Sequence, residues 1–458
     1  MATEQTARAE GERGPALTVP ELRAAVADGA VDTVLLAMTD MQGRLQGKRL
    51  NAHHFLEDVL EHGAEACNYL LAVDVEMNTV DGYALSSWER GYGDFEWVPD
   101  LATLRLLPWS PGTALCLADV RWPDGTDVAP SPRQVLRRQL DRLAERGLAA
   151  YAATELEFMI FRDSYEQAWS KGYRDLDPAN QYNVDYSVLG TARVEPLIRR
   201  IRNEMIGAGL RVENSKGECN LGQHEINFTY GPALQTADEH AIYKTGAKEI
   251  AAQEGMAITF MAKFDEREGN SCHIHLSLRR DDGSALFADD PAAFERFMAG
   301  QLVALRELTL LHAPNVNSYK RFASASFAPT AVAWGRDNRT CALRVVGHGA
   351  SKRMECRVPG ADVNPYLALS ALIAGGLHGI EQGLELEPPL EGNAYTADRP
   401  RVPSNLRAAR DAFADSAVAR EALGEEVVAH YLNAADVELA AFEATVTDWE
   451  RVRGFERL

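Results

Sequence analysis

Three segments of this sequence carry charged or imidazole side chains at alternate positions, and this spacing predicts β-strands with one chemically active face. Residues i and i+2 of a strand share a face. The positions in between are apolar, so the other face of each segment is expected to meet a core. The alternating residues are Glu155 and Glu157, then His273, His275 and Ser277, then Arg353, Glu355 and Arg357.

The chemistry that suits these faces is phosphoryl transfer assisted by metal ions. A solvated sheet face would explain any one of the strands, but three of them concentrate charge that needs partners. Clustered carboxylates repel unless a cation lies between them, and carboxylates with imidazoles suit Mg²⁺ or Mn²⁺. Alternating arginines suit phosphate or carboxylate oxygens. Metals and arginines in one cavity would position phosphates and neutralise their charge.

Four residues outside these strands extend the pattern. Glu218 and Glu225 flank a Gly-Gln turn that leads into another predicted strand, and Arg339 and Arg344 lie near a strand later in the chain. Neither G-x-x-x-x-G-K-[ST] nor G-x-G-x-x-G occurs in the sequence, so a nucleotide would not be bound by those phosphate loops.

The elements that must position these residues predict an α+β fold with a large, largely antiparallel sheet. A composition break places a domain boundary near residues 126–130, and a turn is expected at 40–49. Strands are predicted at 33–38, 113–119, 151–161, 225–229, 257–264, 273–278, 342–346 and 353–358. Helices are predicted after Ser131-Pro132, at 192–208, 236–254, 291–313 and 365–382, and from 417 onward.

The composition favours a protein that works on small molecules in the cytoplasm. The net charge is −20, without the basic footprint that nucleic-acid binding requires. Six cysteines lack C-x-x-C or zinc-ligand spacing, as expected of free thiols in a reducing compartment. The polar first 18 residues lack the apolar run of a signal peptide, and the apolar stretch 367–380 is shorter than a membrane span. We therefore predict no nucleic-acid or membrane partner.

Taken jointly, the motifs resemble those of the glutamine synthetase family over nearly the whole chain after the first 18 residues. Each tripeptide alone would be weak, but their common order and spacing is highly specific. The motifs are ELEF at 155–158, GQHE at 222–225, HIHLSL at 273–278, NSYKR at 317–321, DNR at 337–339, the segment 353–357 followed by Pro359, and NPYL at 364–367.

The resemblance implies an active site with two or more divalent metal ions, Mg²⁺ or Mn²⁺, and ATP as co-substrate. It implies one metal at Glu157, Glu218 and Glu225, and another at Glu155, His273 and Glu355. The residues implied to hold glutamate and the transferring phosphoryl group are His275, Arg321, Arg339, Arg357 and Gly269. The residues implied to contact nucleotide or phosphate are Glu213, Ser277, Arg344 and Arg353.

The resemblance also implies an architecture. A polar tail is expected at residues 1–18, a β-grasp domain at 19–126 and a glutamine-synthetase catalytic domain at 127–458. Family members form two stacked hexameric rings with active sites between neighbouring subunits, so a dodecamer is expected. Asp40 and Asp94 resemble catalytic aspartates of the N-terminal domain, of a kind that reaches the site from the adjacent subunit. Arg321 and Arg339 are expected to take part in catalysis as well.

One position departs from the ammonia-using members of the family. They carry a flap glutamate just before Ala-Pro that binds ammonium and removes its proton, whereas this chain carries Phe327. Phenylalanine accepts no proton and offers a cation only a modest contact, but it can line a channel for a carbon chain. Glu268 stands where those members have asparagine, either attracting a cationic amine or lying on a loop surface.

These departures make the chain similar to γ-glutamyl-amine ligases, which join glutamate to polyamines such as putrescine, to ethanolamine or to related primary amines. The implied reaction is ATP-dependent phosphorylation of the γ-carboxylate, followed by attack of the amine on γ-glutamyl phosphate. Two alternatives are an ammonia-dependent glutamine synthetase that obtains its base elsewhere, and a non-catalytic sensor or scaffold. The six intact metal-ligand positions disfavour a non-catalytic protein.

Overall fold

Five strands form the N-terminal sheet of the computed structural model, which describes residues 16–323 and 326–458. The strands are β1 (Thr33–Thr39), β2 (Leu45–Asn51), β3 (Ala64–Cys67), β4 (Asp94–Leu106) and β5 (Thr113–Arg121). They lie in the order β2–β1–β5–β4–β3, with β1 and β5 parallel and the other neighbours antiparallel. The apolar face of this sheet shares a core with helices from the C-terminal end of the chain.

Nine strands form the second, larger sheet. They are β6 (Leu148–Phe161), β7 (Val212–Gly217), β8 (Gln223–Phe228), β9 (Gly231–Pro232), β10 (Ala257–Thr259), β11 (Cys272–Arg280), β12 (Trp334–Arg336), β13 (Leu343–Val346) and β14 (Arg353–Cys356). The main path is β12–β13–β14–β11–β6–β8–β7, and β9 and β10 pair with β6. Among the described strands of this sheet only β12 and β13 pair in parallel, so the predicted α+β fold with a largely antiparallel sheet is confirmed.

Helices cover the apolar face of the large sheet and extend the N-terminal core. The α-helices are α1 (Val19–Ala27), α2 (Ala52–His54), α3 (Leu60–His62), α4 (Pro132–Ala144), α5 (Tyr165–Ser170), α6 (Val188–Thr191), α7 (Glu195–Gly207), α8 (Ala233–Gln253), α9 (Leu286–Asp289), α10 (Pro291–Glu307), α11 (Thr309–His312), α12 (Pro365–Glu381), α13 (Leu406–Ala414), α14 (Ala417–Leu423), α15 (Glu425–Ala444) and α16 (Asp448–Gly454). Shorter helical turns lie at Phe55–Val59, Asn68–Leu71, Val316–Arg321 and Gly349–Ser351.

The apolar sides of the three alternating strands form the rigid backing of the large sheet. Phe158 of β6, Ile274 of β11 and Met354 of β14 are completely buried in one core cluster with Leu372 of α12. Burying a side chain of this size contributes about 1.5–3 kcal/mol relative to leaving it exposed. The opposite faces of the same strands are thereby fixed in position, as their alternation predicts.

Several predicted elements are longer, shorter or broken in the structure. The expected turn at 40–49 contains most of β2, which pairs with β1 over seven positions; its sequence LQGKRLN is polar and half exposed, so it lacks the hydrophobic alternation of a buried strand. The strands β3, β4 and β7 were not anticipated. The strand predicted at 257–264 ends at Thr259, and the helix predicted at 291–313 breaks at Leu308.

The predicted C-terminal helix is divided into three. Gly424 separates α14 from α15 with a φ of +86°, a conformation that glycine adopts without strain. The predicted domain boundary falls between the end of β5 and the start of α4 and stays a prediction. Most of the predicted tail, residues 1–15, lies outside the described residues. Among the described residues, every helix is too short or too polar to cross a bilayer.

Candidate active site

Strand register brings the charged residues into one row across the large sheet. The directly opposed pairs are Glu225 with Glu157, Glu155 with His273, His275 with Glu355, and Glu355 with Arg344. Opposed Cβ atoms in antiparallel strands are about 4.5–5.5 Å apart. These side chains can therefore share cations and hydrogen bonds.

The first acidic group consists of Glu157, Glu218 and Glu225, whose ligand atoms lie within 4.8 Å of one another. The Ser271 N–H donates a hydrogen bond to Glu157 Oε2 at 2.7 Å and fixes its direction. The Lys216 ammonium pairs with Glu218 and lies 3.8 Å from Glu225 Oε1. Three carboxylates with a single lysine beside them have an excess of negative charge. Their oxygens therefore fit a divalent metal ion.

The pKa of Glu225 supports that fit. Burial, followed by the nearby charge of Glu157, raises this pKa to about 7. The shift indicates that Lys216 does not neutralise the group fully. A divalent cation bound to these oxygens would supply the missing charge and displace the proton.

The second group combines two carboxylates with two imidazoles. Ligand atoms of Glu155, His275 and Glu355 lie within 4.8 Å of one another. His273 Nδ1 lies 3.2 Å from Glu155 Oε2 and 3.8 Å from Glu355 Oε1. The predicted set of Glu155, His273 and Glu355 is therefore brought together, and His275 lies beside it.

Hydrogen bonding distinguishes the two histidines. Arg353 Nε donates to His275 Nδ1 at 3.2 Å, so neutral His275 carries its proton on Nε2 and donates it to Glu155 Oε1 at 2.8 Å. Both nitrogens of His275 thus form hydrogen bonds, whereas Nε2 of His273 has no partner within residues 16–323 and 326–458. Of the two rings, His273 has the greater free capacity for a metal ion or a phosphate-bound group.

The carboxyl groups of this second group are ionised. Burial tends to raise the pKa of Glu155, but hydrogen bonds from His273 and His275 outweigh it and hold the pKa well below its ordinary value. Burial also opposes ionisation of Glu355, and the neighbouring His273 and Arg357 nevertheless lower its pKa. Burial and Arg357 lower the pKa of His273, which keeps the imidazole neutral as a metal ligand requires.

Arginines border the second group. Arg344 donates to Glu355 Oε2 at 2.8 Å and through Nε to Asp337 Oδ1 at 3.0 Å. The buried Arg357 pairs with Glu355, and the exposed Arg339 lines the same cavity. Guanidinium groups in this arrangement can bind the oxygens of a phosphoryl group or a carboxylate in a forked geometry.

The whole first group lines one cavity of about 730 Å³, together with Glu155, His273 and His275 of the second group. A second cavity of about 550 Å³ shares Glu155, His275 and Arg353 with it and is lined by the predicted nucleotide contacts Glu213 and Ser277. We refer to this second cavity as the Ser277 end of the site. The shared residues connect the metal-binding groups directly to the predicted nucleotide contacts.

The Ser277 end offers flat surfaces suited to a nucleotide base. The rings of Tyr151 and Tyr230 are 6.3 Å apart in an edge-to-face arrangement. The Arg279 guanidinium lies 4.9 Å from the centre of the Tyr151 ring and 5.7 Å from that of Tyr230. Aromatic and guanidinium planes of this kind stack well on a planar heterocycle.

Five further residues line the main cavity but not the Ser277 cavity, namely Asp185, Tyr186, Cys219, Glu268 and Phe327. We call this part of the lining the Phe327 end. Tyr186 is 72% exposed and Phe327 is 57% exposed, with φ angles of +54° and +55°. Such angles are strained for bulky residues, and residues of this kind cluster at ligand sites. The aromatic rings leave room beside the carboxylates for a small organic molecule.

Some predicted site residues lie elsewhere. Arg321 is 1% exposed and does not line the cavity; its guanidinium donates to Val358 O and, at 3.2 Å, to Ser271 Oγ. Asp40 is completely buried at the β1–β2 turn, where Arg44 Nε donates to it at 2.7 Å. Asp94 is exposed at the start of β4 and lies outside the cavity of its own chain.

The predicted residues Gly269 and Glu268 do line the cavity. A side chain at Gly269 would collide with the backbone, since a Cβ there would come within 2.2 Å of Ala262 O. Among the other cavity residues, Lys216, Asp185 and Tyr186 carry charged or aromatic side chains that the sequence did not predict for the site. Lys216 alternates with Glu218 on one extended segment, which was an available signal, whereas Asp185 and Tyr186 lie in a loop without periodicity.

Comparisons with known proteins agree with this geometry. The model of the glutamine synthetase catalytic domain matches residues 129–453. The chain is 66% identical to gamma-glutamylethanolamide synthetase of Streptomyces coelicolor, over 98% of this chain and 97% of that protein. It is 37% identical to glutamate–isopropylamine ligase of a Pseudomonas species, over 92% and 95% of the two chains. A solved GmaS/ADP complex is 28% identical with a TM-score of 0.83, covering 95% of this chain and 99% of that one.

Proposed function

This chain belongs to the glutamine synthetase family and is an ATP-dependent glutamate–amine ligase, and we propose that the amine it joins to glutamate is ethanolamine. The observation that carries the proposal is the Phe327 end. A complete set of metal and phosphate residues opens there onto an aromatic wall instead of a flap glutamate. The Streptomyces relative, named for ethanolamide synthesis, matches the chain at 66% identity.

Two divalent ions, Mg²⁺ or Mn²⁺, form part of the proposal. Glu157, Glu218 and Glu225 would hold one ion, and the residues that would hold the other are Glu155, His273 and Glu355. The ions would neutralise the phosphates of ATP. The hydrogen bond from Ser271 to Glu157 and the direct opposition of Glu155 and His273 keep the ligands in place before any ion arrives.

The chain's own residues would support two chemical steps. In the first, the γ-carboxylate of glutamate attacks the γ-phosphorus of ATP, and ADP leaves. In the second, the ammonium group of the acceptor first loses a proton to a neighbouring carboxylate or to water. Its nitrogen then attacks the carbonyl of γ-glutamyl phosphate, phosphate leaves, and loss of a second proton from nitrogen gives the amide. Arg339, Arg344 and Arg357 would stabilise the oxygens of the transferring phosphoryl group and of the tetrahedral centre. Arg321, buried beside Ser271, would position this region without touching substrate.

The nucleotide would occupy the Ser277 end. Glu213, Ser277 and Arg353 would contact the ribose and phosphates, while Tyr151 and Tyr230 would flank the base. This placement puts the γ-phosphate over the second acidic group, because His275 and Arg353 line both cavities. The amine must then enter from the Phe327 end, where Glu268 would attract its positive charge.

A dodecameric assembly in the cytoplasm completes the proposal. Asp94 is exposed on the N-terminal sheet and lies outside its own cavity, as expected of an aspartate that serves a neighbouring subunit. All six cysteines are free, which suits a reducing compartment. Analytical ultracentrifugation would test the assembly: a species that stays monomeric at working concentration would contradict it.

A panel of acceptors tests the proposed function directly. Phosphate release would be measured with glutamate, ATP and Mg²⁺ in the presence of ethanolamine, putrescine, isopropylamine or ammonium. We expect the largest kcat/KM with ethanolamine. Fastest release with ammonium would identify an ammonia-dependent synthetase, and binding of ATP and glutamate without release for any acceptor would identify a non-catalytic protein. Either result would overturn the proposal.

A further inference from the structure

Asp185 is a carboxylate of the Phe327 end that neither the metal groups nor the arginines use. It is exposed, and its Oδ2 lies 3.6 Å from Cys219 Sγ. Ligand atoms of Asp185, Cys219 and the metal-site residue Glu218 lie within 4.8 Å of one another. Asp185 thus lies beside Glu218, a residue of the first acidic group.

Glu218 is shared by two groups of possible ligands, because its carboxylate also lies within 4.8 Å of ligand atoms of Glu157 and Glu225. The exposed carboxylate of Asp185 lines the cavity and can accept hydrogen bonds from a ligand there.

The spacing of Asp185 and Glu218 suits a short amino alcohol. The nitrogen and oxygen of ethanolamine are about 3 to 4 Å apart, given ordinary bond lengths and staggered torsions. With its nitrogen at the reaction centre near Glu218, the molecule can extend its hydroxyl to hydrogen-bond distance of Asp185, because the two carboxylates lie within 4.8 Å. The rings of Tyr186 and Phe327 would then enclose its two methylene groups.

We propose that Asp185 is a specificity-determining residue that accepts a hydrogen bond from the hydroxyl group of the acceptor amine. The inference rests on the proposed function, because it assumes an acceptor of the amino-alcohol class. Phe327 cannot accept this hydrogen bond, and the sulfur of Cys219 is only a weak acceptor. The carboxylate oxygens of Asp185 are better acceptors than either.

Asp185 and Glu268 then have different tasks. The Asn220 side chain binds the Glu268 carbonyl oxygen at 2.7 Å and holds that loop against the cavity. The charge of Glu268 attracts any cationic amine, with or without a hydroxyl. Asp185 instead discriminates between ethanolamine and n-propylamine, which has the same length but ends in a methyl group. A site that expects a hydroxyl disfavours the analogue that lacks it, because the acceptor is left unpaired.

The test compares ethanolamine with n-propylamine in the wild-type enzyme and in the variants Asp185→Ala, Asp185→Asn and Glu268→Ala. We expect Asp185→Ala to lower the ratio of kcat/KM values, ethanolamine over propylamine, by about 10- to 100-fold, mainly through KM for ethanolamine. Asp185→Asn keeps an acceptor oxygen and should retain part of the preference. Glu268→Ala should lower kcat/KM for both amines and leave their ratio within about threefold.

The outcomes separate this inference from the proposed function. A wild-type enzyme that does not use ethanolamine overturns both, whereas one that uses it keeps the function whatever the variants do. An unchanged ratio in Asp185→Ala, or an equal loss with both amines, overturns the role of Asp185 alone.

Calorimetric titration with Mg²⁺ provides a check without turnover, because a loss of metal affinity in Asp185→Ala would show that the substitution acts through Glu218. Glu266→Ala, an exposed carboxylate of the same loop as Glu268 that does not line the cavity, is the matched control.

Discussion

The row of charged residues on the large sheet and the Phe327 end lie in one cavity but are built differently. The row stands on central strands whose other faces are completely buried, and its members are directly opposed across the ladder. The Phe327 end is made of loop residues, and its two aromatic rings are mostly exposed with left-handed backbones. One region is held by the core, and the other by local loop conformation.

Because of this difference, the residues proposed for the reaction lie on packed strands, whereas those proposed to select the amine lie on loops. Metal and phosphate geometry must be kept within fractions of an ångström, and side chains on packed strands meet that demand. Loops tolerate substitution because little of the core depends on them. A change of acceptor can therefore arise at Phe327 without disturbing the residues that activate ATP and glutamate.

The largest effect is expected when one proposed metal-binding residue of the charged row is substituted. We expect Glu157→Gln or His273→Ala to lower phosphate release by more than about 1000-fold with every amine, because charge neutralisation at the phosphates is lost. Circular dichroism should show a folded protein, since neither side chain belongs to the apolar core. Near-normal turnover in either variant would remove that residue from the ligand set. Glu266→Gln, outside the cavity, serves as the control.

A somewhat smaller effect is expected at the N-terminal sheet. Asp94→Asn should lower turnover about 100-fold without a change in melting temperature, if the exposed aspartate assists proton transfer in a neighbouring subunit. Asp40→Asn should instead lower the melting temperature, because a buried carboxylate that accepts from Arg44 and Gln46 is weakened. The reverse pattern would assign catalysis to Asp40.

Within the Phe327 end, a single change should alter the choice of acceptor. Phe327→Glu should lower kcat/KM for ethanolamine by about 10-fold and raise that for ammonium, because a carboxylate replaces an apolar wall. The KM for ATP should stay constant, since Ser277 and Glu213 lie at the other end of the site. A parallel loss of ATP affinity would mean that the two regions are not independent. Phe442→Glu, an exposed phenylalanine on α15, controls for the added charge.

The smallest expected effect concerns the pH dependence of metal binding. The pKa of Glu225 in the folded protein, about 7, is higher than in the unfolded chain. Between pH 4.5 and 7 the folded, metal-free protein therefore binds more protons at this group than the unfolded chain does. The contribution of Glu225 to the free energy of unfolding consequently falls as the pH rises through this range. Mg²⁺ binds the deprotonated form. The Mg²⁺-induced rise in melting temperature should therefore be larger at pH 8 than at pH 6, by about 2–4 °C. In Glu225→Gln the difference should vanish.

Much of the fold and of the metal-binding residues followed from local pattern. Alternation within 155–158, 273–278 and 353–358 predicted both the strands and the face of each that carries chemistry, because the two-residue period of a strand is a local property. The polar strand β2 was missed for the same reason, since LQGKRLN has no apolar alternation. It pairs with β1 as a hairpin through backbone hydrogen bonds, which the types of its side chains do not reveal.

The sequence by itself determined which side chains share a face with the charged residues of each alternating strand, and that Phe327 stands just before Ala-Pro. Only the tertiary structure decided that Glu157 opposes Glu225, that Lys216 lies among the carboxylates, and that Arg321 is buried behind the cavity residue Ser271. It alone brought the loop residue Asp185 beside Glu218. The physical reason is that side-chain alternation is set by neighbouring residues, whereas strand register and loop placement are set by packing between distant segments.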